Sequence, residues 1–226
     1  MEKEIERFHC YLVEWEDIER WSRDVSQKLD GSGYKPDLVI GLARGGWVPA
    51  RLICDHLLIK NLSSLRTEHW GITATVDGEA RLAQPLSVDL ADRRVLLVDD
   101  ITDTGKSLEI AIAHVERGAP KELGVATLLH IEGAKVVPDY FSEQILKDNW
   151  TWFIFPWNRD EDFYNLVPKT LFKPGDLGGI KERFREQFDI DVEGERITRA
   201  LSMLERRGMV SRSVTDGKEV FTLSSV

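Results

Sequence analysis

The sequence predicts an α/β fold: a parallel sheet covered by helices, followed by a small α+β domain at the C-terminal end. Short apolar runs suited to buried strands alternate along the chain with amphipathic segments suited to helices, which predicts the parallel sheet. A change of character after Pro174-Gly175 predicts the second domain, over residues 177–226. The chain of 226 residues is long enough for one sizeable core and a small additional unit.

The elements of the predicted sheet follow in order from the N-terminal end. The first half is expected to contain a strand at 8–13, a helix at 16–29 ended by Gly31 and Gly33, a central strand at 37–42, a helix from Val48 to Leu58 and a strand at 62–67. Residues 71–94 lack apolar periodicity and carry Gly71, Gly78 and Pro85, so a mobile hairpin or lid is expected there. The sheet continues with a buried strand at 95–98, a helix from Ser107 to Arg117 and an apolar strand at 123–129.

The predicted C-terminal domain has the element order of a winged-helix module. Leu177, Ile180, Phe184 and Phe188 recur at helical spacing, and a second helix is expected to carry Ile197, Leu201 and Leu204. Two strand-like segments then flank Thr215-Asp216-Gly217, which is typical of a hairpin turn. If this segment is an appended domain, removing everything after Gly175 should leave a folded core. It carries nine Lys or Arg and nine Asp or Glu, so DNA binding is less favoured than packing or dimerisation.

The composition excludes several classes of protein. A net charge of −9 gives no excess of positive charge for binding a polyanion. No apolar run approaches the length of a membrane span, and no apolar signal-peptide region follows Met1. Cys10 and Cys54 alone do not suggest a disulfide framework, and a reducing, cytoplasmic location is expected.

The most informative segment runs from Val95 to Leu108. Asp99 and Asp100 stand at the carboxyl end of the predicted strand, where ligands bind in open α/β sheets, and Asp103 follows. The next residues lead into a helix and offer backbone N–H groups, hydroxyls and the positive end of the helix dipole to a phosphate: Thr104, Gly105, Lys106 and Ser107. Adjacent carboxylates suit ribose hydroxyls and a divalent cation. One short loop is therefore expected to hold a ribose by its hydroxyls and its 5′-phosphate.

Two alternative interpretations account for less of this loop. Gly105-Lys106-Ser107 matches the end of a P-loop, but a P-loop requires a glycine at the position of Asp100, and three carboxylates would repel a triphosphate. A buried strand followed by a helix cap explains Asp103 or Thr104 singly, because both residue types cap helices. It does not explain the whole run.

The run resembles the 5-phosphoribosyl pyrophosphate (PRPP) motif of type I phosphoribosyltransferases, whose core is Rossmann-like, and the resemblance covers about residues 8–172. In that family, Mg²⁺-bound PRPP loses pyrophosphate and a base nitrogen takes its place on the ribose C1. The resemblance implies that Asp99 and Asp100 hold the ribose 2′- and 3′-hydroxyls, with Asp100 near the magnesium ion. It also implies that Asp103 lies beside the base as a proton acceptor, and that residues 104–108 surround the 5′-phosphate.

A second loop, Ala43-Arg44-Gly45-Gly46, also lies between a predicted strand and a predicted helix. Glycines let backbone amides approach an anion, and Arg44 supplies a forked cation. Alone, this pattern favours an ordinary strand–helix turn. Its position matches the pyrophosphate loop of the family, so the resemblance assigns Arg44 and Gly45 to PRPP binding and Arg44 to stabilising the leaving pyrophosphate.

The segment 131–172 resembles the base-binding hood of the 6-oxopurine branch, especially guanine–xanthine and archaeal-type hypoxanthine–guanine enzymes. The resemblance places Lys135 at the purine O6, Trp152 against the ring and the Phe153 backbone at the base edge. A lysine ammonium donates well to a carbonyl and poorly to an amino group. Ile154 departs from the acidic residue of bacterial guanine–xanthine enzymes, so the resemblance leaves the preferred base open.

Core packing is the alternative explanation for the aromatic residues of this segment, and it is the one expected for Trp150 and Phe155. For Lys135 the alternative is a solvated surface lysine.

Two functions follow from these residues. The first is a magnesium-dependent purine phosphoribosyltransferase that converts a 6-oxopurine and PRPP into a nucleoside 5′-monophosphate and pyrophosphate; the resemblance also implies a homodimer. The second is a PRPP- or nucleotide-sensing transcription regulator that binds DNA through residues 177–226. The intact acidic triplet and Arg44 favour the enzyme, because sensing alone would not require release of pyrophosphate.

Overall fold

The computed structural model describes residues 5–69 and 80–224. By internal contacts the chain divides into two compact units. The larger unit is Trp15–Trp150, and the smaller unit combines Met1–Glu14 with Thr151–Val226. None of the helices among the described residues is long and apolar enough to cross a membrane.

The helices and strands are as follows, in chain order: β1 (His9–Leu12), α1 (Trp15–Ser32), β2 (Leu38–Ala43), α2 (Trp47–His56), β3 (Leu62–His69), β4 (Ala80–Gln84), β5 (Arg94–Thr102), α3 (Lys106–Glu116), β6 (Glu122–Ile131), β7 (Tyr140–Ile145), a 3-10 helix (Lys147–Asn149), β8 (Thr151–Ile154), α4 (Arg159–Thr170), α5 (Leu177–Phe188), α6 (Gly194–Arg206), β9 (Val210–Thr215) and β10 (Lys218–Leu223). The predicted strands and helices of the first 131 residues are confirmed, with boundaries shifted by a few residues. Helix α1 continues through Gly31, and Gly33 follows its end at a φ of 78°.

The larger unit is built on a six-stranded sheet in the order β4-β3-β2-β5-β6-β7. All neighbouring pairs are parallel except β3 and β4, so the predicted parallel sheet is confirmed. Strands β3 and β4 pair in antiparallel orientation, and β4 lies within the segment 71–94, for which a hairpin or lid is predicted. Residues 70–79 of that predicted hairpin or lid lie outside the described residues.

The two central strands are buried on both faces because helices cover both sides of the sheet. Val39 of β2 and Leu96 of β5 pack with apolar residues of α1 and α2 on one side. Ile40 and Leu97 pack with apolar residues of α3 on the other side. Successive side chains of a strand point to opposite faces, so a strand buried in this way must be apolar throughout. The continuous apolar runs in the sequence therefore mark the middle of the sheet.

The smaller unit pairs β1 with β8 in parallel and packs α4, α5 and α6 together above the hairpin β9-β10. Asp216 and Gly217, at the tip of the hairpin, both have positive φ, as a tight two-residue turn requires. Gly175 forms an antiparallel bridge with Phe221 of β10. The order is therefore helix, single bridge residue, helix, helix and hairpin, which resembles a winged helix that begins at α4.

The boundary between the units differs from the sequence prediction, which placed residues 1–172 in one domain and 177–226 in another. Phe163, Leu166 and Val167 of α4 belong to the same buried cluster as Phe184 and Phe188 of α5. Helix α4 thus packs with the extension, and β8 and β1 belong to this unit as well. The composition change at Pro174-Gly175 marks the bridge between Gly175 and Phe221 inside the unit, and the unit itself begins earlier in the chain.

Candidate active site

The two loops predicted to bind PRPP lie side by side in the larger unit. Strands β2 and β5 are parallel neighbours, with Gly41 opposite Val98, so the segments that follow them leave the same edge of the sheet. A β-carbon added to Gly45 would lie 2.2 Å from Oδ2 of Asp100. The structure therefore brings the Arg44–Gly45 loop into direct contact with the acidic pair.

Asp99 and Asp100 occupy the carboxyl-terminal half of β5 and are both partly buried. The backbone N–H of Asp100 donates to Oδ1 of Asp99 over 3.0 Å, and the N–H of Ile101 donates to Oδ1 of Asp100 over 2.8 Å. Burial, followed by the charge of the Asp100 carboxylate, raises the pKa of Asp99 well above its ordinary value. A cation or hydroxyl donors placed beside these two carboxylates would stabilise their charged forms.

The loop between β2 and α2 is closely packed. The peptide bond between Ala43 and Arg44 is cis. A β-carbon on Gly46 would lie 2.2 Å from the carbonyl oxygen of Val98, so only glycine fits there. Arg44 itself is exposed. Gly45 therefore lies beside Asp100, and the binding of pyrophosphate by this loop stays a prediction.

The predicted phosphate loop after β5 is braced by the segment that follows β6. Gly105 has a φ of 80°, and a β-carbon there would lie 2.7 Å from the backbone nitrogen of Val136. The backbone N–H of Lys135 donates to the carbonyl oxygen of Thr104 over 3.1 Å. Helix α3 begins at Lys106, so the first backbone N–H groups of the helix and the hydroxyl groups of Thr104 and Ser107 belong to one turn.

Asp103 is exposed, and the structure reveals a contact that the sequence did not predict. The indole N–H of Trp150 donates to Oδ1 of Asp103 over 3.4 Å. Trp150 is 39% exposed, so the expectation that it is a core residue was wrong, whereas Phe155 is buried as expected. Trp150 directly follows a short 3-10 helix. No pattern in the sequence links it to Asp103, because the two residues are far apart in the chain.

Lys135 lies on the surface of the larger unit. Its ammonium is 3.6 Å from Oε2 of Glu109 on α3, and both side chains are more than half exposed. Its backbone touches the phosphate loop, which places the residue beside the predicted ribose site. Its contact with the purine O6 stays a prediction.

Trp152 and Phe153, the other predicted base-binding residues, lie on β8 in the smaller unit. The indole N–H of Trp152 donates to Oδ1 of Asp162 over 3.2 Å, and the ring of Phe153 lies 5.9 Å from that of Tyr11. Asp162 is a buried carboxylate that the sequence analysis did not single out. Asp162 belongs to the acidic first turn of α4, Asp160-Glu161-Asp162. Acidic residues are common in the first turn of a helix because they compensate the helix dipole, so nothing in the sequence singled out Asp162.

The acidic pair also fits a magnesium ion. No group of three or more His, Cys, Asp or Glu side chains able to hold a metal occurs among residues 5–69 and 80–224. Magnesium ions in phosphate-transfer sites are held by one or two carboxylates, with water and substrate oxygens completing the octahedron. A pair of adjacent aspartates at the mouth of a phosphate loop meets that requirement.

Comparisons with known proteins agree with this geometry. A family model described as the phosphoribosyl transferase domain matches residues 12–163. The chain is 29% identical over 153 residues to a xanthine-guanine phosphoribosyltransferase of Cereibacter sphaeroides, a match that spans 66% of this chain and 86% of that relative. It is 30% identical over 158 residues to a xanthine-guanine phosphoribosyltransferase of a Ruegeria species, a match that spans 66% of this chain and 85% of that relative.

Among solved structures, a purine phosphoribosyltransferase from Pyrococcus horikoshii superposes with a TM-score of 0.57 and 32% identity, covering 66% of this chain and 94% of that one.

Proposed function

Because the chain belongs to the phosphoribosyltransferase family, we propose that it is a purine salvage enzyme that transfers the 5-phosphoribosyl group of PRPP to a 6-oxopurine. The observation that carries this proposal is the contact between the two loops at the end of the sheet, where Gly45 meets the carboxylate of Asp100. Purine phosphoribosyltransferases among the similar proteins support the choice of a purine as acceptor.

In this proposal the larger unit holds PRPP. The Asp99 and Asp100 carboxylates accept hydrogen bonds from the ribose 2′- and 3′-hydroxyls, and the turn from Thr104 to Ser107 donates to the 5′-phosphate. Arg44 and the backbone of Gly45 bind the pyrophosphate and stabilise the charge that develops as it leaves. Asp100 would hold magnesium, which supplies neutralisation of the pyrophosphate charge when bound.

The reaction breaks the bond between ribose C1 and a pyrophosphate oxygen and forms a bond between C1 and a purine nitrogen. The proton on that nitrogen must leave, and Asp103 is the carboxylate placed at the phosphate loop to accept it. Trp150 holds one oxygen of Asp103 by its indole N–H, which restricts the carboxylate to a defined orientation. Fixing the base nitrogen in line with C1 supplies the remaining rate enhancement.

Recognition of the base is assigned to Lys135, Trp152 and Phe153. A lysine ammonium donating to O6 favours guanine, hypoxanthine or xanthine over adenine. The Trp152 ring would stack on the purine, and the Phe153 backbone would contact its edge. We also propose a cytoplasmic homodimer, a location in keeping with the two free, buried thiols of Cys10 and Cys54.

A DNA-binding regulator is the second candidate, and the winged-helix order of the smaller unit favours it. The surface charges of that unit oppose it. Arg199 of α6 pairs with Glu195, and Arg212 of the hairpin pairs with both Glu205 and Glu219. Arginines that are already neutralised offer little to DNA phosphates. Binding of the full-length protein to genomic fragments at physiological salt would revive this candidate.

The test of the enzyme is a turnover assay with PRPP, magnesium and separately guanine, hypoxanthine, xanthine and adenine. We expect pyrophosphate and nucleoside monophosphate in equal amounts with at least one 6-oxopurine, and loss of both products when a chelator removes magnesium. Absence of pyrophosphate with every base, from a protein that binds PRPP in calorimetry, would contradict the proposal and favour ligand sensing.

A further inference from the structure

We propose that Asp162 is a positioning residue that fixes the indole ring of Trp152 in the orientation used for stacking on the purine. This inference rests on the proposed function and concerns only residues of the smaller unit. Asp162 itself touches no reacting atom. It acts through Trp152.

Both residues of the Trp152–Asp162 contact have backbones fixed by secondary structure. Trp152 lies on β8, where it pairs with Cys10 of β1, so its backbone is fixed by the strand ladder. Asp162 lies in the first turn of α4, and its backbone N–H donates to the carbonyl oxygen of Asn158 over 2.9 Å. The connection between β8 and α4 is itself tightly packed, because the rings of Phe155 and Trp157 stack with centroids 5.0 Å apart. Neither partner therefore moves easily relative to the other.

Asp162 is buried, and the indole N–H of Trp152 reaches one oxygen of its carboxylate, Oδ1. The residue is only 2% exposed. Its charge also acts on the neighbouring thiol: burial first, and the Asp162 carboxylate second, raise the pKa of Cys10 to about 12. Burying a carboxylate among apolar side chains is costly unless donors reach it, and the indole N–H is one such donor. If position 162 served packing alone, an apolar residue would fill it without the free-energy cost of burying a charge.

Trp152 has the character of a platform. It is partly buried and packs against the apolar cluster of the smaller unit, so the residue keeps some exposed surface. A stacking surface binds best when the ring is already in its bound orientation, because ordering a side chain on binding lowers affinity. The Asp162 carboxylate restricts rotation of the indole and so orders it in advance.

A double-mutant cycle tests this role. Asp162→Leu removes the acceptor with a side chain that branches at the same carbon, and Asp162→Asn keeps an acceptor oxygen as the matched control. Each is made alone and together with Trp152→Phe, which keeps an aromatic ring but has no N–H. Base KM and kcat are measured at saturating PRPP. We expect Asp162→Leu to raise base KM about three- to tenfold with kcat little changed, the range for freeing one ordered side chain, and Asp162→Asn to resemble the unmodified protein.

The coupling between the two positions is the decisive result. In the Trp152→Phe background, Asp162→Leu should cause no further rise in base KM, because the bond it removes is already absent. An equal rise in both backgrounds, or no rise in either, would overturn the positioning role. Circular dichroism and thermal unfolding check that each variant is folded, and Asp162→Ala replaces Asp162→Leu if the latter is not. No turnover by the unmodified protein would overturn the proposed function, whereas turnover without coupling overturns this inference alone.

Discussion

Gly45 lies so close to Asp100 that a β-carbon at position 45 would fall 2.2 Å from the carboxylate oxygen Oδ2. The glycine is therefore required by the neighbouring loop, not by its own backbone torsion. It lets the loop after β2 approach the carboxylate of Asp100 directly, so each loop restricts the position of the other.

The first prediction is that Gly45→Ala displaces the Asp100 carboxylate and lowers kcat/KM for PRPP by about a hundredfold, the loss expected for a misplacement of about 1 Å. Steady-state kinetics with PRPP as the varied substrate measure it. The control is Gly31→Ala in α1, where a β-carbon meets nothing within 4 Å. Equal activity of the Gly45 and Gly31 variants would show that the two loops do not depend on each other.

The second prediction concerns the pKa of Asp99, which is raised by burial and by Asp100. Native Asp99 binds a proton more readily than unfolded Asp99, so its ionisation destabilises the fold as pH rises from the ordinary aspartate value through the raised one. Asp99→Asn removes this cost and should raise Tm near neutral pH by roughly 2–4 °C. The same change should weaken PRPP binding, because a ribose hydroxyl loses a charged acceptor.

Thermal unfolding followed from pH 5 to 8 checks the sign, since the unmodified protein should lose more stability over that interval than the Asp99→Asn variant. Calorimetry with magnesium and PRPP measures the affinity. Identical pH dependence in the two proteins, or normal PRPP affinity in the variant, would remove Asp99 from the site.

The sequence predicted the larger unit well for a physical reason. Strands β2 and β5 are covered on both faces, so they must be continuously apolar, and the carboxylates that interrupt this pattern at Asp99 stand out. In the sequence, each of these strands is followed by the glycines of a turn, Gly45 and Gly46 after β2 and Gly105 after β5. Local patterns of this kind need no knowledge of distant parts of the chain.

The smaller unit was predicted less well because its organisation depends on distant contacts. Strand β1 pairs with β8, far along the chain, and no local pattern encodes that choice. Helix α4 was missed because Pro168 and an acidic first turn obscure its apolar spacing. The residues in the contacts Trp150–Asp103 and Trp152–Asp162 are not separated by the regular spacing of a helix or a strand. These contacts are therefore visible only in the folded structure.

The third prediction is that Asp103→Asn slows turnover by about a hundredfold or more, the usual effect of losing a general base, while PRPP affinity is retained. Trp150→Phe, which keeps a ring but removes the N–H donor, should cause a smaller loss in kcat with unchanged PRPP affinity. Single-turnover measurements separate chemistry from product release. Full activity of Asp103→Asn would assign the proton to another acceptor.

The fourth prediction is that Lys135→Ala lowers kcat/KM about ten- to a hundredfold for guanine and hypoxanthine, the worth of one charged hydrogen bond, and leaves any adenine activity nearly unchanged. Glu109→Gln is the matched control: it breaks the exposed ion pair with Lys135, which contributes little, and should not alter base preference. Trp152→Ala should weaken all bases alike, because stacking tolerates different purines. Equal losses with adenine and guanine in Lys135→Ala would remove Lys135 from recognition of O6.

The fifth prediction follows from the core that α4 shares with the extension. Phe184 of α5 packs at 0% exposure against Phe163 of α4, with ring centroids 5.8 Å apart. Arg183 adds hydrogen bonds to the carbonyl oxygens of Thr170, the last residue of α4, and of Lys173 and Pro174 just beyond it. Removing everything after Gly175 would expose this face of α4, so the extension is not separable at that point.

We therefore expect the protein truncated after Gly175 to aggregate or to lose the cooperative unfolding of its smaller unit. Phe184→Ala in the full chain should destabilise that unit by about 3–5 kcal/mol, as for other large core aromatics. Val214→Ala on the hairpin is the control: Val214 is 71% exposed, and its loss should matter little. Chemical unfolding followed by circular dichroism measures all three proteins. A monomeric truncated chain with unchanged stability and turnover would instead establish the extension as an appended domain, independent of α4.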